Sequence, residues 1–120
     1  MDGLAFIADR PLGVLATVGK DGTPHAVPIE VLVRDGKVYC WCEGDSVKAR
    51  NAKRNGRAAL MAYKGTSGAL VRGPVRLLTE ADPSYESIAR GFLDKYQREE
   101  TFGNDSLIEL TPERVATWED

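Results

Sequence analysis

The sequence predicts a mainly β protein, an antiparallel barrel of six to seven strands with α-helices, and three observations predict it. Short runs of alternating apolar and polar residues recur along the chain. Asp21-Gly22 and Asp35-Gly36 each separate two such runs, and Asp-Gly favours a tight hairpin between antiparallel strands. Strands and helices do not alternate as they do in parallel sheets, so barrel closure is the natural way to remove exposed strand edges.

The first half of the chain predicts a short helix and then three strands. Apolar residues spaced three and four apart predict an N-terminal helix that ends before Pro11. The strands are predicted over residues 14–18, 25–34 and 37–42. Pro28 lies inside the second of these strands and marks an edge or a bulge, because proline cannot donate to a ladder.

The second half predicts two helices and four strands. Asp45 or Ser46 is the expected N-cap of a helix that ends near Asn55, with Gly56 as its C-cap. The strands are predicted over residues 57–63, 70–78, 107–110 and 114–118, the second of them bent at Gly73-Pro74. Asp82-Pro83 predicts the start of an amphipathic helix that covers an open side of the barrel or a partner. Residues 98–104 are expected to form a loop.

Length and composition indicate one ordinary domain. The 120 residues fit a single domain over 1–120, and 42 % apolar with 28 % charged residues argues against disorder. No apolar run approaches the roughly 18 to 20 residues that cross a membrane. The first ten residues have no basic region typical of a signal peptide, so we expect a cytoplasmic protein without membrane association.

Charge and cysteine content exclude several classes of function. The net charge of −2 argues against nucleic-acid binding, yet residues 46–57 hold five of the 16 basic residues and none of the 18 acidic ones. This local basic segment favours a small anionic ligand. Cys40 and Cys42 are expected to be reduced core thiols, and with His25 as the single histidine no metal site is predicted.

The chain offers no self-contained catalytic machinery. It lacks the G-x-S-x-G, P-loop and G-x-G-x-x-G motifs, and any catalytic triad would depend on His25 alone. Glu30 is the acid in the middle of a strand, where it either lines a pocket or faces solvent, the second being more common. No catalytic residue is therefore predicted, and chemistry would come from a cofactor.

The turn before the second helix suits a phosphate. The free N–H groups and the positive end of a helix favour an anion, the Ser46 hydroxyl can donate a hydrogen bond, and Lys48 adds a full charge. A solvated basic helix with a serine N-cap is the alternative explanation of the same residues.

Read together, six segments resemble the FMN- and deazaflavin-binding split barrels of the pyridoxamine 5′-phosphate oxidase-like superfamily. They are residues 13–18 (GVLATV), 21–28 (DGTPHAVP), 38–42 (VYCWC), 46–60 (SVKARNAKRNGRAAL), 73–77 (GPVRL) and 110–118 (LTPERVATW). Each segment is weakly specific alone, but their order and spacing are characteristic, and they span nearly the whole chain.

The resemblance implies a homodimer with two cofactor sites at its interface. The strand around Val27, Pro28 and Ile29 would pass along the isoalloxazine ring, with Trp41 and Cys42 beside the cofactor. The phosphate-binding turn corresponds to Ser46, Val47 and Lys48, steadied by Asn51, and Trp118 would reach the partner's site. Val47 stands where FMN-using relatives often have a second basic residue.

The resemblance also implies an activity. The chain lacks the long C-terminal extension of pyridoxamine-phosphate oxidases, so the expected activity is that of an oxidoreductase that uses FMN, or alternatively the deazaflavin coenzyme F-420, on a small organic substrate. Lys53 and Arg54 could meet the acidic tail of a deazaflavin. Two further hypotheses are a non-catalytic flavin or haem carrier or sensor, and a dimeric structural module whose pocket has degenerated.

Overall fold

The computed structural model describes residues 1–99 and 105–119 of the chain. The elements of this part, in chain order, are α1 (Gly3–Ala8), β1 (Gly13–Val18), β2 (Pro24–Ile29), β3 (Val31–Arg34), β4 (Lys37–Glu43), α2 (Val47–Asn55), β5 (Arg57–Lys64), β6 (Ser67–Leu78), α3 (Tyr85–Tyr96), β7 (Asp105–Leu110) and β8 (Arg114–Trp118). The mainly β class is confirmed. The strand count exceeds the prediction because the run at 25–34 is divided at Glu30.

All strands belong to one curled antiparallel sheet. Its main path runs β2-β1-β5-β6-β7-β4-β3, and β8 pairs with β6. β2 pairs with β1 whereas β3 pairs with β4, so the chain changes partner at Glu30. This change is the physical reason for the break, and it brings the two ends of the sheet together at one residue.

The bend predicted at Gly73-Pro74 lets β6 pair with two strands along one edge. Before the bend β8 pairs with Gly68 to Arg72, and after it β7 pairs with Val75 to Leu78. A Cβ added to Gly73 would lie 2.0 Å from the carbonyl oxygen of Thr111. Only glycine fits this close approach of two backbones.

Two apolar cores lie on opposite faces of the sheet. The inner core joins Ile7 of α1 and Ala49 of α2 to the strands, and the outer one places Phe92 of α3 against Trp41. β4 is buried on both faces because its alternate side chains point into the two cores. The prediction that the amphipathic helix covers a side of the barrel is confirmed.

The helix ends follow the sequence signals with one exception. Ser46 caps α2 and Gly56 ends it with a φ of 75°, as predicted. α3, however, begins at Tyr85 with Ser84 as N-cap, so the start predicted at Asp82-Pro83 is wrong. Asp82 is used differently: its carboxylate accepts a hydrogen bond from the Thr79 amide at 3.2 Å and closes a turn before the helix.

Three further features concern the described residues as a group. None of their helices is long and apolar enough to cross a membrane. No set of three or more His, Cys, Asp or Glu side chains within 1–99 and 105–119 is placed to hold a metal ion. Cys40 and Cys42 are both buried free thiols, as predicted.

Candidate functional site

A cavity of about 240 Å³ lies where β2 ends, beside the end of β4 and the first turn of α2. Its lining residues are Pro28, Ile29, Glu30, Trp41, Cys42, Glu43, Lys48, Arg98 and Asp105. We call it the Lys48 cavity. It is built where the sheet changes partner, so residues far apart in sequence meet there.

Half of the residues predicted to bind a cofactor line this cavity. They are Pro28, Ile29, Trp41, Cys42 and Lys48. Val27 precedes them on β2 and is half-buried on the opposite face of the strand from Pro28. The structure therefore brings the predicted ring-contacting strand and the predicted phosphate-binding lysine to the same place.

Ser46 closes the N-terminus of α2. Its Oγ accepts from the Ala49 amide at 3.3 Å and donates to the Glu43 carbonyl at 2.8 Å. The serine hydroxyl thus satisfies one of the unpaired N–H groups of the first turn, as an N-cap does. In this structure its proton is directed at Glu43 and not into the Lys48 cavity.

Val47 lies on the other side of the same helical turn. It is 43 % exposed and lines a shallow hollow of about 540 Å³ together with Lys20, His25, Arg50 and Arg54. We call this hollow the basic groove. Consecutive helix positions point about 100° apart, which is why Val47 and Lys48 face different cavities.

Asn51 fastens α2 to the sheet. It is buried, its Nδ2 donates to Thr17 Oγ1 at 3.1 Å, and its Oδ1 accepts from Arg54 at 2.9 Å. Arg54 also donates to the carbonyl of Val18 at 2.6 Å. These bonds hold α2, the helix that carries Lys48, against β1. The Asn51 side chain itself does not line the Lys48 cavity.

Trp118 lies apart from the Lys48 cavity of its own chain. It pairs with Gly68 across β8 and β6, and its ring covers the position where a Cβ of Gly68 would stand, 2.5 Å away. The indole is 40 % exposed. Trp118 does not line the Lys48 cavity of its own chain, and the role in a second copy's site that the resemblance implies stays a prediction.

The Lys48 cavity carries charges of both signs. Among the described residues that line it, Lys48 and Arg98 are cationic, and the acidic ones are Glu30, Glu43 and Asp105. Glu30 is neutralised by an ion pair with Arg98. Of the other charged side chains, Lys48 can hold an anion, and the carboxylates of Glu43 and Asp105 can accept hydrogen bonds from hydroxyl groups.

The thiol in the cavity wall is not prepared for nucleophilic attack. Burial raises the pKa of Cys42 to about 11, although the positive charge of Lys48 acts in the opposite direction. Burial likewise raises the pKa of Cys40, which lies two residues earlier on the same strand. Both thiols are protonated near neutral pH, whereas a reactive cysteine needs a lowered pKa.

Four residues that line the site were not among the predicted cofactor-binding residues: Glu30, Glu43, Arg98 and Asp105. Arg98 stands in the segment expected to be a loop, of which residues 100–104 lie outside the described residues, and Glu30 was expected to line a pocket or, more commonly, to face solvent. Glu30 lines the cavity and Arg98 reaches it from the end of α3. The polar Gln97 after the last apolar position of α3 is the signal that could have located the helix end and its turn.

Comparison with known proteins decides the family. The family model described as pyridoxamine 5′-phosphate oxidase matches residues 4–119. The chain belongs to this family. The family assignment covers nearly the whole chain and agrees with the resemblance predicted from the six segments.

Individual members of the family and of the fold have different names. The F420H2-dependent biliverdin reductase of Mycobacterium tuberculosis is 29 % identical over 117 residues, which are 95 % of this chain and 84 % of that protein. A solved structure named F420 reductase superposes with a TM-score of 0.78 at 21 % identity, over 97 % of each chain. The haem storage protein HutZ of Vibrio cholerae superposes with a TM-score of 0.82 at 14 % identity, over 94 % of this chain and 89 % of that one. The two structures share the split-barrel fold with this chain.

Proposed function

We propose that this protein is an oxidoreductase that binds FMN or the deazaflavin coenzyme F-420 at the Lys48 cavity and reduces a small organic substrate. The observation that carries the proposal is that Lys48, Trp41 and Cys42 line one cavity in a member of the pyridoxamine 5′-phosphate oxidase family. The name of the 29 % identical mycobacterial relative supports a deazaflavin as well as a flavin.

The side chains present fit the polar tail of such a cofactor. Lys48 would bind the phosphate as a charged donor, and the positive end of α2, capped by Ser46, would favour the same anion. The carboxylates of Glu43 and Asp105 would accept hydrogen bonds from the hydroxyl groups of the ribityl chain. Asn51 would act indirectly, by keeping α2 in place.

The chain would orient the cofactor and exclude water from it. A bound flavin or deazaflavin supplies the hydride chemistry. Val27, Pro28 and Ile29 would lie along its ring, with Trp41 and Cys42 as the wall beside it. We assign no proton transfer to a side chain, because the Cys42 thiol is held protonated and the cavity carboxylates are taken as ligands for hydroxyl groups.

We further propose that the protein acts as a homodimer. Val14, Met61, Leu70 and Ala116 form an apolar row in register across β1, β5, β6 and β8, on the face of the sheet that is turned away from α1 and α2. In the neighbouring row on the same face, where Tyr63 and Trp118 both pair with Gly68, Tyr63 is 57 % exposed and Trp118 is 40 % exposed. A contiguous apolar face whose side chains are half-buried or exposed in one copy is typical of an interface. The second copy would cover it and receive Trp118 near its own cofactor.

The test is a titration of the cofactor-free protein with FMN and, separately, with F-420, followed by fluorescence quenching. Lys48→Ala should weaken binding by roughly 1.5–3 kcal/mol for a lost charge-assisted hydrogen bond. For FMN the matched control is Lys53→Ala, which removes an exposed positive charge from the same helix and should leave the affinity close to that of the unaltered protein. For F-420, whose acidic tail Lys53 could meet, the control is Arg90→Ala, an exposed arginine of α3 outside the Lys48 cavity. No binding of either cofactor at tens of micromolar would overturn the proposal.

Turnover separates an enzyme from a carrier. The reduced cofactor should be oxidised when a reducible substrate is added, and biliverdin is the first choice because a relative is named for it. Binding without oxidation by any substrate tried would favour the flavin carrier. The free thiols of Cys40 and Cys42 fit a reducing compartment, and we propose the cytoplasm as the location.

A further inference from the structure

A second cavity, of about 410 Å³, lies on the face of the sheet that is turned away from α1 and α2. It shares no lining residue with the Lys48 cavity. Its floor includes Ala16 of β1 and Ala59 of β5, and Val18 and Pro24 form part of its wall. Three arginines border it: Arg57, Arg72 and Arg114. We call it the arginine cavity.

The strand register explains how this cavity arises. Ala16 pairs with Ala59, Ala59 with Arg72, and Arg72 with Arg114, so these four residues form one row across β1, β5, β6 and β8. Two methyl groups in the row leave the sheet surface low and smooth. The two long side chains that follow form a wall beside this hollow.

The two arginines at the end of the row repel each other. Arg72 and Arg114 are directly opposite each other, and like charges in this position are unfavourable. Both are exposed, and within residues 1–99 and 105–119 neither guanidinium has a carboxylate in ion-pair range. The nearby Glu113 is already paired with Arg57. An anion between Arg72 and Arg114 would relieve this repulsion.

We propose that the arginine cavity binds a flat apolar molecule through a carboxylate group. The guanidinium groups match the two oxygens of a carboxylate, and the alanine floor offers an unobstructed apolar surface to a ring. A volume of about 410 Å³ lies within the usual range for small-molecule sites. The further assignment of this ligand as the substrate rests on the proposed oxidoreductase function, whereas binding itself does not.

The two cavities are related through one strand. Pro24 borders the arginine cavity and Pro28 borders the Lys48 cavity, and both project from the same face of β2. Four residues of a strand extend for roughly 13 Å. A cofactor held by its tail in the Lys48 cavity, with its ring along β2, would therefore reach toward the arginine cavity, where a carboxylate-bearing substrate would meet it.

The test uses a small probe and its uncharged analogue. We would titrate methyl-labelled protein with millimolar 2-naphthoate and, in parallel, 2-naphthamide, and follow the methyl resonances of Ala16 and Ala59. The carboxylate should shift both methyl resonances, and the amide should bind at least about tenfold more weakly, because it lacks the charge. The double variant Arg72→Gln/Arg114→Gln should weaken naphthoate binding by about tenfold or more and should leave the fold intact, since it removes a repulsion. The control variant Arg90→Gln, at an exposed position of α3, should leave naphthoate binding unchanged.

The outcomes distinguish carboxylate binding at the arginine cavity from the proposed oxidoreductase function. Equal affinity of naphthoate for the double variant and the unaltered protein overturns the arginine cavity as an anion site. The proposal is also overturned if light scattering shows that the unaltered protein is a dimer and the double variant is not, because Arg72 and Arg114 would then serve the contact between copies. Naphthoate binding that persists in a protein unable to bind FMN or F-420 supports this inference while the proposed function fails.

Discussion

Arg98 and Glu30 form an ion pair that joins the end of α3 to the break between β2 and β3. Nη1 of Arg98 donates to Oε2 of Glu30 at 2.8 Å, and Nη2 lies 2.6 Å from Oε1. The guanidinium also lies over the Trp41 ring, 4.9 Å from its centre. The left-handed conformation of Gln97, with a φ of 54°, turns the chain back so that Arg98 reaches this position.

Removing Arg98 should therefore destabilise the protein. The two side chains are 23 % and 26 % exposed, so Arg98→Gln would leave a partly buried carboxylate without its cation. We expect a loss of about 1–3 kcal/mol in the free energy of unfolding, measured by urea denaturation. The control is Arg90→Gln, which breaks an exposed pair with Glu86 on α3 and should cost under about 0.5 kcal/mol. Equal losses in the two variants would mean that the Arg98 pair contributes no more than a surface contact.

The fold could be predicted largely because its signals are local. The two Asp-Gly turns, the alternation of β4, and the Ser46 and Gly56 caps depend on residues within a few positions of one another. The start of α3 could not be fixed in the same way. Asp82 followed by proline is a common helix start, but here a competing hydrogen bond to Thr79 closes a turn first.

The candidate site was only half predictable because it depends on long-range contacts. Lys48 is indicated by its place in a basic first turn of a helix. Glu30 and Arg98 are 68 residues apart, and neither carries a local signal for the other. Glu30 reaches the cavity because the chain changes its pairing partner at that residue, and the sequence of one run of alternating residues does not show which strands lie beside it.

Asn51 provides a second test of what holds the site. Asn51→Ala would leave the buried Thr17 hydroxyl and the Arg54 guanidinium each with one bond fewer. We expect a loss of about 2 kcal/mol in unfolding free energy. Asn55→Ala, on the exposed end of the same helix, is the matched control and should change stability by under about 0.5 kcal/mol. A similar effect of both changes would argue that the Asn51 contacts do not fasten α2 to β1.

Glu109 should make stability depend on pH. Burial alone would raise its pKa, but hydrogen bonds from Arg76 and Tyr39 and the charges of Arg76 and Lys37 prevail and hold the pKa below its ordinary value. The stabilisation from a carboxylate with a lowered pKa is present above the ordinary pKa and is lost as the pH falls through the lowered one.

Acid titration of stability checks this expectation. Unfolding free energy should fall between about pH 5 and pH 3 in the unaltered protein, and Glu109→Gln should flatten part of that fall. The same variant should be less stable than the unaltered protein at pH 7, because it weakens the bonds to Arg76 at 2.7 Å and Tyr39 at 3.0 Å. Glu86→Gln, at an exposed position of α3, should leave the pH profile as it is. Parallel profiles for Glu109→Gln and the unaltered protein would contradict a lowered pKa.

The buried thiols should resist alkylation as long as the protein is folded. Burial raises the pKa of Cys42 to about 11, and the pKa of Cys40 is raised by burial as well, so at pH 8 only a very small fraction of either is thiolate. We expect iodoacetamide at pH 8 to leave both cysteines unlabelled in the folded protein and to label both in urea, as measured by mass spectrometry. Lys48→Ala should leave Cys42 unlabelled as well, because loss of the lysine charge, which favours the thiolate, raises the pKa of Cys42 further. Labelling of Cys42 in this folded variant would show instead that Lys48 shields the thiol from the reagent and that access to the cavity, more than charge, controls the reaction.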